Sequence, residues 1–166
     1  MPGFDGDWTR PSPIEVSLRE VAEADLPIFF EHQLDAESTR MAAFPSRNRE
    51  EFMAHWATIL QNPTGVNRAI VANGEVAGNI VCWEQEGERR IGYWIGREHW
   101  GQGIASQALS QFLNQIAERP LAAHVAKHNA ASIRVLQKCG FSISGEETYL
   151  DPDGTRGDEL ILTKHE

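Results

Sequence analysis

Between a predicted strand and a predicted helix, the sequence reads Arg97-Glu98-His99-Trp100-Gly101-Gln102-Gly103-Ile104-Ala105. The start of a helix presents backbone N–H groups that have no partner within the helix, together with a partial positive charge. Glycines such as Gly101 and Gly103 let an anion approach that backbone closely. The pattern therefore predicts a turn that holds a phosphate or pyrophosphate group. An ordinary strand-to-helix turn has the same composition, so the glycines alone do not decide between the two.

Two other phosphate-binding motifs do not fit this sequence. A P-loop requires Gly-Lys followed by Ser or Thr, and the chain contains no such run. A dinucleotide fingerprint has three spaced glycines after the first strand of a βαβ unit. Here Ser106 stands in place of the third glycine, and the turn follows predicted antiparallel strands. Both classes of nucleotide site are therefore excluded.

The hydrophobic periodicity on either side of this turn predicts a mixed sheet with helices. The dipeptide Asn73-Gly74 favours a tight hairpin because both positions accept positive φ. The predicted strands cover residues 14–18, 68–72, 76–83, 91–95, 121–126, 141–148 and 159–163. Helices are predicted from Asp25-Pro27, from Asn48 to just before Asn62-Pro63, from the glycine turn toward Pro120, and from Asn129 to Gly140. We expect the apolar stripes of these helices to be core, including Leu26, Ile28, Phe29, Phe30, Leu34, Phe52, Trp56, Ile59 and Leu60. This order predicts an α/β (α+β) fold with a mixed, mostly antiparallel sheet flanked by helices.

Length and charge restrict the class of protein. The chain has 166 residues, a formal charge of −9 and 41% hydrophobic residues, which is typical of one soluble domain. We expect that domain to span residues 14–166 and to follow an N-terminal arm, residues 1–13, that either dangles or packs through Trp8. The acidic balance argues against broad nucleic-acid or anionic-membrane binding. The stretch 89–138 nevertheless carries a local charge of +5, which leaves −14 for the rest of the chain.

The compartment is predicted from the cysteines and the first residues. Cys82 and Cys139 are too few for a disulfide framework in a chain of this length. The arm has neither the basic nor the apolar segment of a signal peptide, and no apolar run is long enough to span a membrane. We therefore expect a cytoplasmic protein.

Three segments together resemble the GCN5-related N-acetyltransferase (GNAT) superfamily, in particular the ribosomal-protein N-terminal acetyltransferases (RimJ/RimL-like). They are Gly92-Tyr93-Trp94-Ile95-Gly96, Trp100-Gly101-Gln102-Gly103-Ile104-Ala105, and His128 to Phe141. With their spacing they cover about half of the chain. The resemblance implies that two central strands splay apart to form an acetyl-CoA cleft, and it is consistent with a homodimer.

The resemblance also implies a set of cofactor contacts. The pantetheine arm would add to the edge of the strand at Trp94, Ile95 and Gly96 as an extra strand does. The pyrophosphate would lie on the backbone between Gly101 and Ala105, so that Gln102, Gly103 and Ile104 belong to the cradle. In the family, Gln or Arg usually stands at the position of Trp100, which leaves any side-chain contribution from Trp100 in doubt. Asn129 would hydrogen-bond the cofactor arm, with Ser132 one turn later. As an Asn at a helix start, Asn129 is also an ordinary N-cap.

The catalytic residues are less determined. A family tyrosine that protonates the leaving thiolate is replaced here by Leu136, and Ser132 or water is left as the donor. A lysine-type amine is neutral in only about one molecule in 2,500 at pH 7, so it needs a general base far more than an α-amine does. Glu84 and Tyr93 are the candidate bases, and His124 ranks behind them.

No metal is expected. His124 and His128 are separated by about 13 Å on a strand, and the acidic turn at 151–158 lacks the pattern of a calcium loop. The sequence thus predicts an acetyl-CoA-dependent enzyme that acetylates a small-molecule amine or a protein N-terminal amine in a ternary complex. The charge division favours a cationic acceptor. The alternative function is a non-catalytic acetyl-CoA-binding module, which the missing tyrosine would permit.

Overall fold

The computed structural model describes residues 13–150, 154 and 156–166. Within them, seven strands run as β1 Val16–Arg19, β2 Val66–Ala72, β3 Glu75–Gln85, β4 Glu88–Ile95, β5 Leu121–Ala126, β6 Ser142–Leu150 and β7 Arg156–Lys164. The α-helices are α1 Leu26–Leu34, α2 Ala36–Ala42, α3 Arg49–Gln61, α4 Ile104–Leu113 and α5 Ala130–Lys138. Residues 1–12 of the predicted arm (1–13) and most of the predicted turn at 151–154 lie outside the described residues.

The seven strands form one sheet in the order β1-β2-β3-β4-β5-β7-β6. Every neighbouring pair is antiparallel except β4 and β5, which run parallel. These two central strands pair only at Arg90 and Ala122. The predicted mostly antiparallel sheet is confirmed, and its one parallel junction is nearly unpaired.

Each face of the sheet carries its own core. Alternate residues of a strand point to opposite faces, so one sheet can be covered on both sides. On one face, α4 and α5 bury Leu109, Phe112 and Leu136 against the strands. On the other face, α1 and α3 contribute Phe29, Phe52 and Trp56, whose rings contact one another in tilted geometry. Full burial of such a side chain contributes about 1.5–3 kcal/mol.

Most element starts follow the predicted chemistry. The hairpin between β2 and β3 turns at Asn73 and Gly74 with φ of 48° and 82°, as expected. The Asn48 side chain accepts a hydrogen bond from the Glu51 backbone N–H at 2.9 Å and caps α3. Gly140 adopts φ of 96° directly after α5, which is the conformation of a helix-terminating glycine.

Three expectations about the helices were wrong. The helix that follows the glycine turn ends at Leu113 rather than near Pro120. Helix α2 was not predicted, because its seven residues carry no apolar stripe and its start depends on Asp35, whose side chain accepts from the Ser38 backbone at 2.9 Å. The third error concerns burial: some apolar residues of α1 and α3 lie off the packed face and are exposed, namely Ile28, Leu34 and Leu60.

Candidate functional site

The glycine turn lies where the chain leaves β4 and enters α4. Gly101 and Gly103 adopt φ of 74° and 76°, which is the left-handed region that residues with a Cβ rarely enter. A Cβ built at either position meets no atom within 4 Å, so conformation rather than space requires glycine here. Gly103 is itself the N-cap, and no side chain caps α4. The N–H groups of the first helical turn are therefore directed at an open surface, as an anion site needs.

Trp100 and Gly96 hold this turn in place. The Trp100 indole N–H donates to the Ile95 carbonyl at 2.9 Å and ties the turn to the end of β4. The Gly96 backbone N–H donates to the Ala77 carbonyl at 2.8 Å. A Cβ on Gly96 would lie 2.6 Å from the His32 ring, so this glycine permits close packing against α1. Gly96 thus packs behind the turn against α1 and does not line the cavity described next.

A cavity of about 780 Å³ opens beside the turn. It lies between the end of β4, the start of α4, helix α5 and helix α2. Its walls include nearly all of the predicted cofactor residues, namely Trp94, Ile95, Trp100, Gly101, Gly103, Ile104, Ala105, Asn129 and Ser132. The size and the mixture of apolar walls with a few polar groups are typical of a cofactor pocket.

Asn129 caps α5 and also lines the cavity. Its side-chain oxygen accepts from the Ser132 backbone N–H at 3.2 Å, which makes it the N-cap of α5. The same side chain belongs to the cavity wall. Because the cap uses the amide oxygen, the NH₂ group is the part that can donate to a ligand.

The cavity also contains a hydrogen-bonded pair of hydroxyls. The Tyr93 hydroxyl lies 2.7 Å from Ser132 Oγ, and both residues line the cavity. Burial raises the pKa of Tyr93 to about 12, although the hydrogen bond with Ser132 opposes this. The phenol therefore stays protonated at neutral pH. This state is unsuited to the general-base role predicted for Tyr93 and suited to donating a hydrogen bond.

Glu84 and Gln102 do not reach the cavity. Glu84 is exposed and pairs with Arg89 at one end of β4, whereas Tyr93, near the other end, pairs with Ile80. Glu84 lies four positions beyond Ile80 on β3, which corresponds to about 13 Å along the strand. Gln102 is exposed and its amide lies near the Glu98 carbonyl, at 3.4 Å. The position of Glu84 therefore does not support the interpretation of this residue as a base.

Several residues of the cavity were not predicted. Ser38, Met41 and Ala42 of α2 form one wall. Arg134 and Lys138, four residues apart on α5, place two cations on another wall. Their spacing in the motif segment was the available signal, because residues i and i+4 share one helix face. Other cations of the positive stretch are engaged elsewhere: Arg90 pairs with Glu88 at 2.7 Å, and Lys127 pairs with Glu146 at 2.7 Å.

A second cavity of about 370 Å³ adjoins the first at Ala42. Its walls come from the segment that follows α2, from β5 and from the β6–β7 hairpin, and comprise Ala42, Ala43, Phe44, Pro45, His124, Ala126, Tyr149 and Glu159. Apart from His124 and Ala126, these residues lie outside the positive stretch 89–138, in parts of the chain where the sequence offered apolar patterns and no motif.

His124 is the centre of a polar cluster in this second cavity. Its Nε2 lies 2.7 Å from Glu88 Oε1, and its Nδ1 lies 3.1 Å from Glu159 Oε1 and 3.9 Å from Glu147 Oε2. Partial burial favours the neutral form of Glu88, but the hydrogen bond with His124 and the neighbouring Arg90 outweigh it, so the pKa of Glu88 is lowered. The candidate ligand atoms of His124, Glu147 and Glu159 all lie within 4.8 Å of one another. This convergence of acceptors was not predicted.

None of the helices in the described part of the chain has the length and apolarity that crossing a membrane requires.

Comparison with known proteins identifies the relatives of this chain. Residues 15–142 match the Acetyltransferase (GNAT) domain family. An uncharacterised N-acetyltransferase p20 of Bacillus licheniformis is 32% identical over 143 residues, which cover 78% of this chain and 80% of the relative.

Solved structures share the fold at lower identity. RimL, a ribosomal L7/L12 α-N-protein acetyltransferase in complex with coenzyme A, superposes with a TM-score of 0.77 at 22% identity and covers 93% of this chain and 95% of its own. A spermidine N-acetyltransferase of Vibrio cholerae, in complex with CoA and spermine, gives 0.78 at 16% identity and covers 90% and 95%. RimJ of Mycobacterium smegmatis gives 0.72 at 21% identity and covers 90% and 81%.

Proposed function

Since this chain belongs to the GNAT acetyltransferase domain family and is an N-acetyltransferase, we propose that it binds acetyl-CoA in the first cavity and transfers the acetyl group directly to a primary amine. The observation that carries the proposal is the combination of the uncapped glycine turn and the two cations Arg134 and Lys138 around one cavity. A backbone cradle suits the pyrophosphate of CoA, and positive side chains suit its further phosphate group.

Each part of the cavity has a distinct task in this proposal. The N–H groups between Gly101 and Ala105 bind the pyrophosphate, and the exposed edge of β4 beyond Arg90 pairs with the pantetheine amides. That edge is available because β5 pairs with β4 only at Arg90 and Ala122. Asn129 donates its amide N–H groups to the same arm.

The hydroxyl pair of Tyr93 and Ser132 supports departure of the thiol. A thiol has a pKa of roughly 8.5, whereas the pKa of Tyr93 is about 12, so complete proton transfer from the phenol to a thiolate is unfavourable. Donation of a hydrogen bond remains favourable: Tyr93 donates to Ser132 Oγ, and Ser132 donates to the sulfur as negative charge develops. Leu136 stands at the position of the family tyrosine and is buried in the core. In this proposal the pair of Tyr93 and Ser132 takes over the role of that tyrosine.

We propose a cationic primary amine as the acceptor class, either a small amine or a protein N-terminus. Support comes from the second cavity, which shares Ala42 with the first and is lined by Glu159, with Glu147 close to Glu159. A cytoplasmic location and a homodimer stay predictions.

Two-substrate initial-velocity kinetics test this proposal. Thiol release is measured over a grid of acetyl-CoA and amine concentrations, with a panel of polyamines, lysine derivatives and peptides that have free N-termini. Direct transfer in a ternary complex predicts intersecting lines in double-reciprocal plots with at least one amine. Parallel lines would indicate an acetylated enzyme instead, and saturable CoA binding without thiol release for any amine would indicate a binding module.

A further inference from the structure

We propose that His124 accepts the proton of the reacting amine, and that Glu159 and Glu147 hold this amine in its ammonium form before transfer. This inference rests on the proposed function and adds to it the acceptor subsite and its proton acceptor. It is carried by three observations: the position of His124 relative to the opening of the sheet, the contacts of its two ring nitrogens, and the residue Ala42, which lines both cavities.

His124 lies at the level where the two central strands separate. The only pair between β4 and β5 joins Arg90 and Ala122, and two residues further along these parallel strands are Gly92 and His124. Beyond this level β4 is unpaired and contributes Trp94 to the first cavity. His124 contributes to the second cavity, and Ala42 belongs to both. A group bound beside His124 therefore adjoins the place where the cofactor arm reaches the split.

The contacts of the imidazole assign separate tasks to its nitrogens. Both ring nitrogens face a carboxylate, which only accepts hydrogen bonds when ionised: Nε2 lies 2.7 Å from Glu88 Oε1, and Nδ1 lies 3.1 Å from Glu159 Oε1. The contact with Glu88 is the shorter, so in the complex with the amine we place the ring proton on Nε2. Glu88 is in turn fixed by Arg90 Nε at 2.7 Å. Glu88 is thus a positioning residue. In the complex with the amine, the ammonium lies between Nδ1 and the carboxylates of Glu159 and Glu147, so that the lone pair on Nδ1 faces an N–H donor.

Three acceptor atoms converge on this side of the imidazole. They are His124 Nδ1, Glu159 Oε1 and Glu147 Oε2. A primary ammonium has three N–H donors, which match these three acceptors. The imidazole is mostly shielded, with 12% of its side chain exposed, whereas 58% of the Glu147 side chain is exposed. The charged groups that face the imidazole are Glu88 with its partner Arg90, Glu147 and Glu159.

Acetyl transfer removes two protons from the ammonium. His124 Nδ1 takes one proton from the ammonium, and the freed lone pair forms the N–C bond with the thioester carbonyl carbon. The C–S bond breaks, and the sulfur leaves with its electron pair, hydrogen-bonded by Ser132. Of the two protons that the ammonium loses, one ends on the sulfur, and the other passes from the imidazolium to solvent.

The variant His124→Gln tests the assignment, with His165→Gln as the matched control because His165 is exposed near the C-terminus and lines neither cavity. Near pH 7 we expect His124→Gln to lower kcat by about 100-fold while the affinity for CoA stays unchanged. The ratio of wild-type kcat to variant kcat should fall as the pH approaches the pKa of the amine, because more of the acceptor then binds in its neutral form. A kcat equal to that of wild type, or a deficit that is constant across pH, would overturn the inference.

Variants of the carboxylates separate binding from proton transfer. We expect Glu159→Gln to raise KM for a cationic amine about tenfold with little change in kcat, and Glu88→Gln to alter the pH profile of kcat. If either variant instead changes CoA affinity, the subsite assignment is wrong.

Two further results distinguish the possible failures. Loss of activity with EDTA and its recovery with Zn²⁺ would show that the cluster holds a metal rather than an ammonium, and would overturn the subsite. A wild-type protein that acetylates no amine would contradict the proposed function, whereas an active wild type with a fully active His124→Gln would contradict only this inference.

Discussion

The two adjoining cavities are built in different ways. The first is formed largely by backbone: positive φ at Gly101 and Gly103, an uncapped helix start, and an unpaired edge of β4. The second is formed by side chains that approach from four separate parts of the chain, with His124 on β5 between Glu88 of β4 and Glu159 of β7. One cavity therefore has a contiguous signature in the sequence, and the other does not.

This difference corresponds to what each side is proposed to recognise. A diphosphate with a pantetheine arm offers repeated acceptors and amides, which backbone groups satisfy regardless of side chain. An acceptor amine is distinguished by charge and shape, which only side chains can read. Relatives that share the backbone cradle can therefore differ in their acceptors, and variants on the two sides should affect different kinetic constants.

The largest expected effect is on the cofactor side. Gly103→Val forces a β-branched residue into φ of 76° and displaces the first N–H groups of α4. We expect the Kd of CoA, measured by isothermal titration calorimetry, to rise about 100-fold, which is about 2.7 kcal/mol. Gly87→Val is the matched control, because Gly87 has a φ of 77° and equally open surroundings but lines neither cavity. Equal effects of the two variants on the Kd would refute the backbone cradle.

A smaller effect is expected at the hydroxyl pair. Tyr93→Phe removes the hydroxyl that is hydrogen-bonded to Ser132 and should lower kcat about tenfold while the Kd of CoA changes little. Burial holds the pKa of Tyr93 at about 12, so the group stays protonated at every lower pH. The ratio of wild-type to variant kcat should thus be constant from roughly pH 6 to 10. A ratio that titrates within this range would assign the tyrosine a different role.

The cations of α5 should have a weaker, salt-dependent effect. Arg134 and Lys138 are both exposed at the rim of the cavity, where solvent screens their charge. We expect Arg134→Ala to raise the Kd of CoA about fivefold at low salt, with the difference shrinking as the salt concentration increases. Lys127→Ala, which removes a cation paired with Glu146 outside the cavity, is the control. A salt-independent loss would point to misfolding of α5 rather than lost attraction.

The smallest effect is expected on the acceptor side. Phe44 is 46% exposed, lines the second cavity and lies under Arg47, whose guanidinium carbon is 4.7 Å from the ring centre. Phe44→Ala should raise the KM of the acceptor about threefold without changing the affinity for CoA. An effect on CoA rather than on the amine would mean that the two cavities do not divide the substrates in this way.

The same contrast explains what the sequence could predict. The strands, the hairpin at Asn73-Gly74 and the cap at Asn48 depend on neighbouring residues, and each was found where local patterns placed it. The nine predicted cofactor residues that line the first cavity come from motif segments that are continuous in the chain. Glu84 does not line the first cavity, because being next to the predicted cofactor strand in sequence does not fix the position along it.

The acceptor side could not be found in this way. Helix α2 has no periodic apolar residues, and it is stabilised by the Asp35 cap and by a contact between its Arg40 carbonyl and the distant His128 at 2.8 Å. The surroundings of His124 depend on residues up to 36 positions away, which only the strand order β4-β5-β7-β6 brings together. No local pattern carries this information.

A single-turnover reaction, followed by mass spectrometry of both the protein and the small molecules, tests the central claim most directly. Enzyme in excess is mixed with acetyl-CoA and each amine of the panel. Our account predicts that at least one cationic amine gains an acetyl group at the rate at which free CoA appears, while the mass of the protein stays unchanged. CoA binding with no acetylated amine, or an acetyl group that remains on the protein, would contradict it.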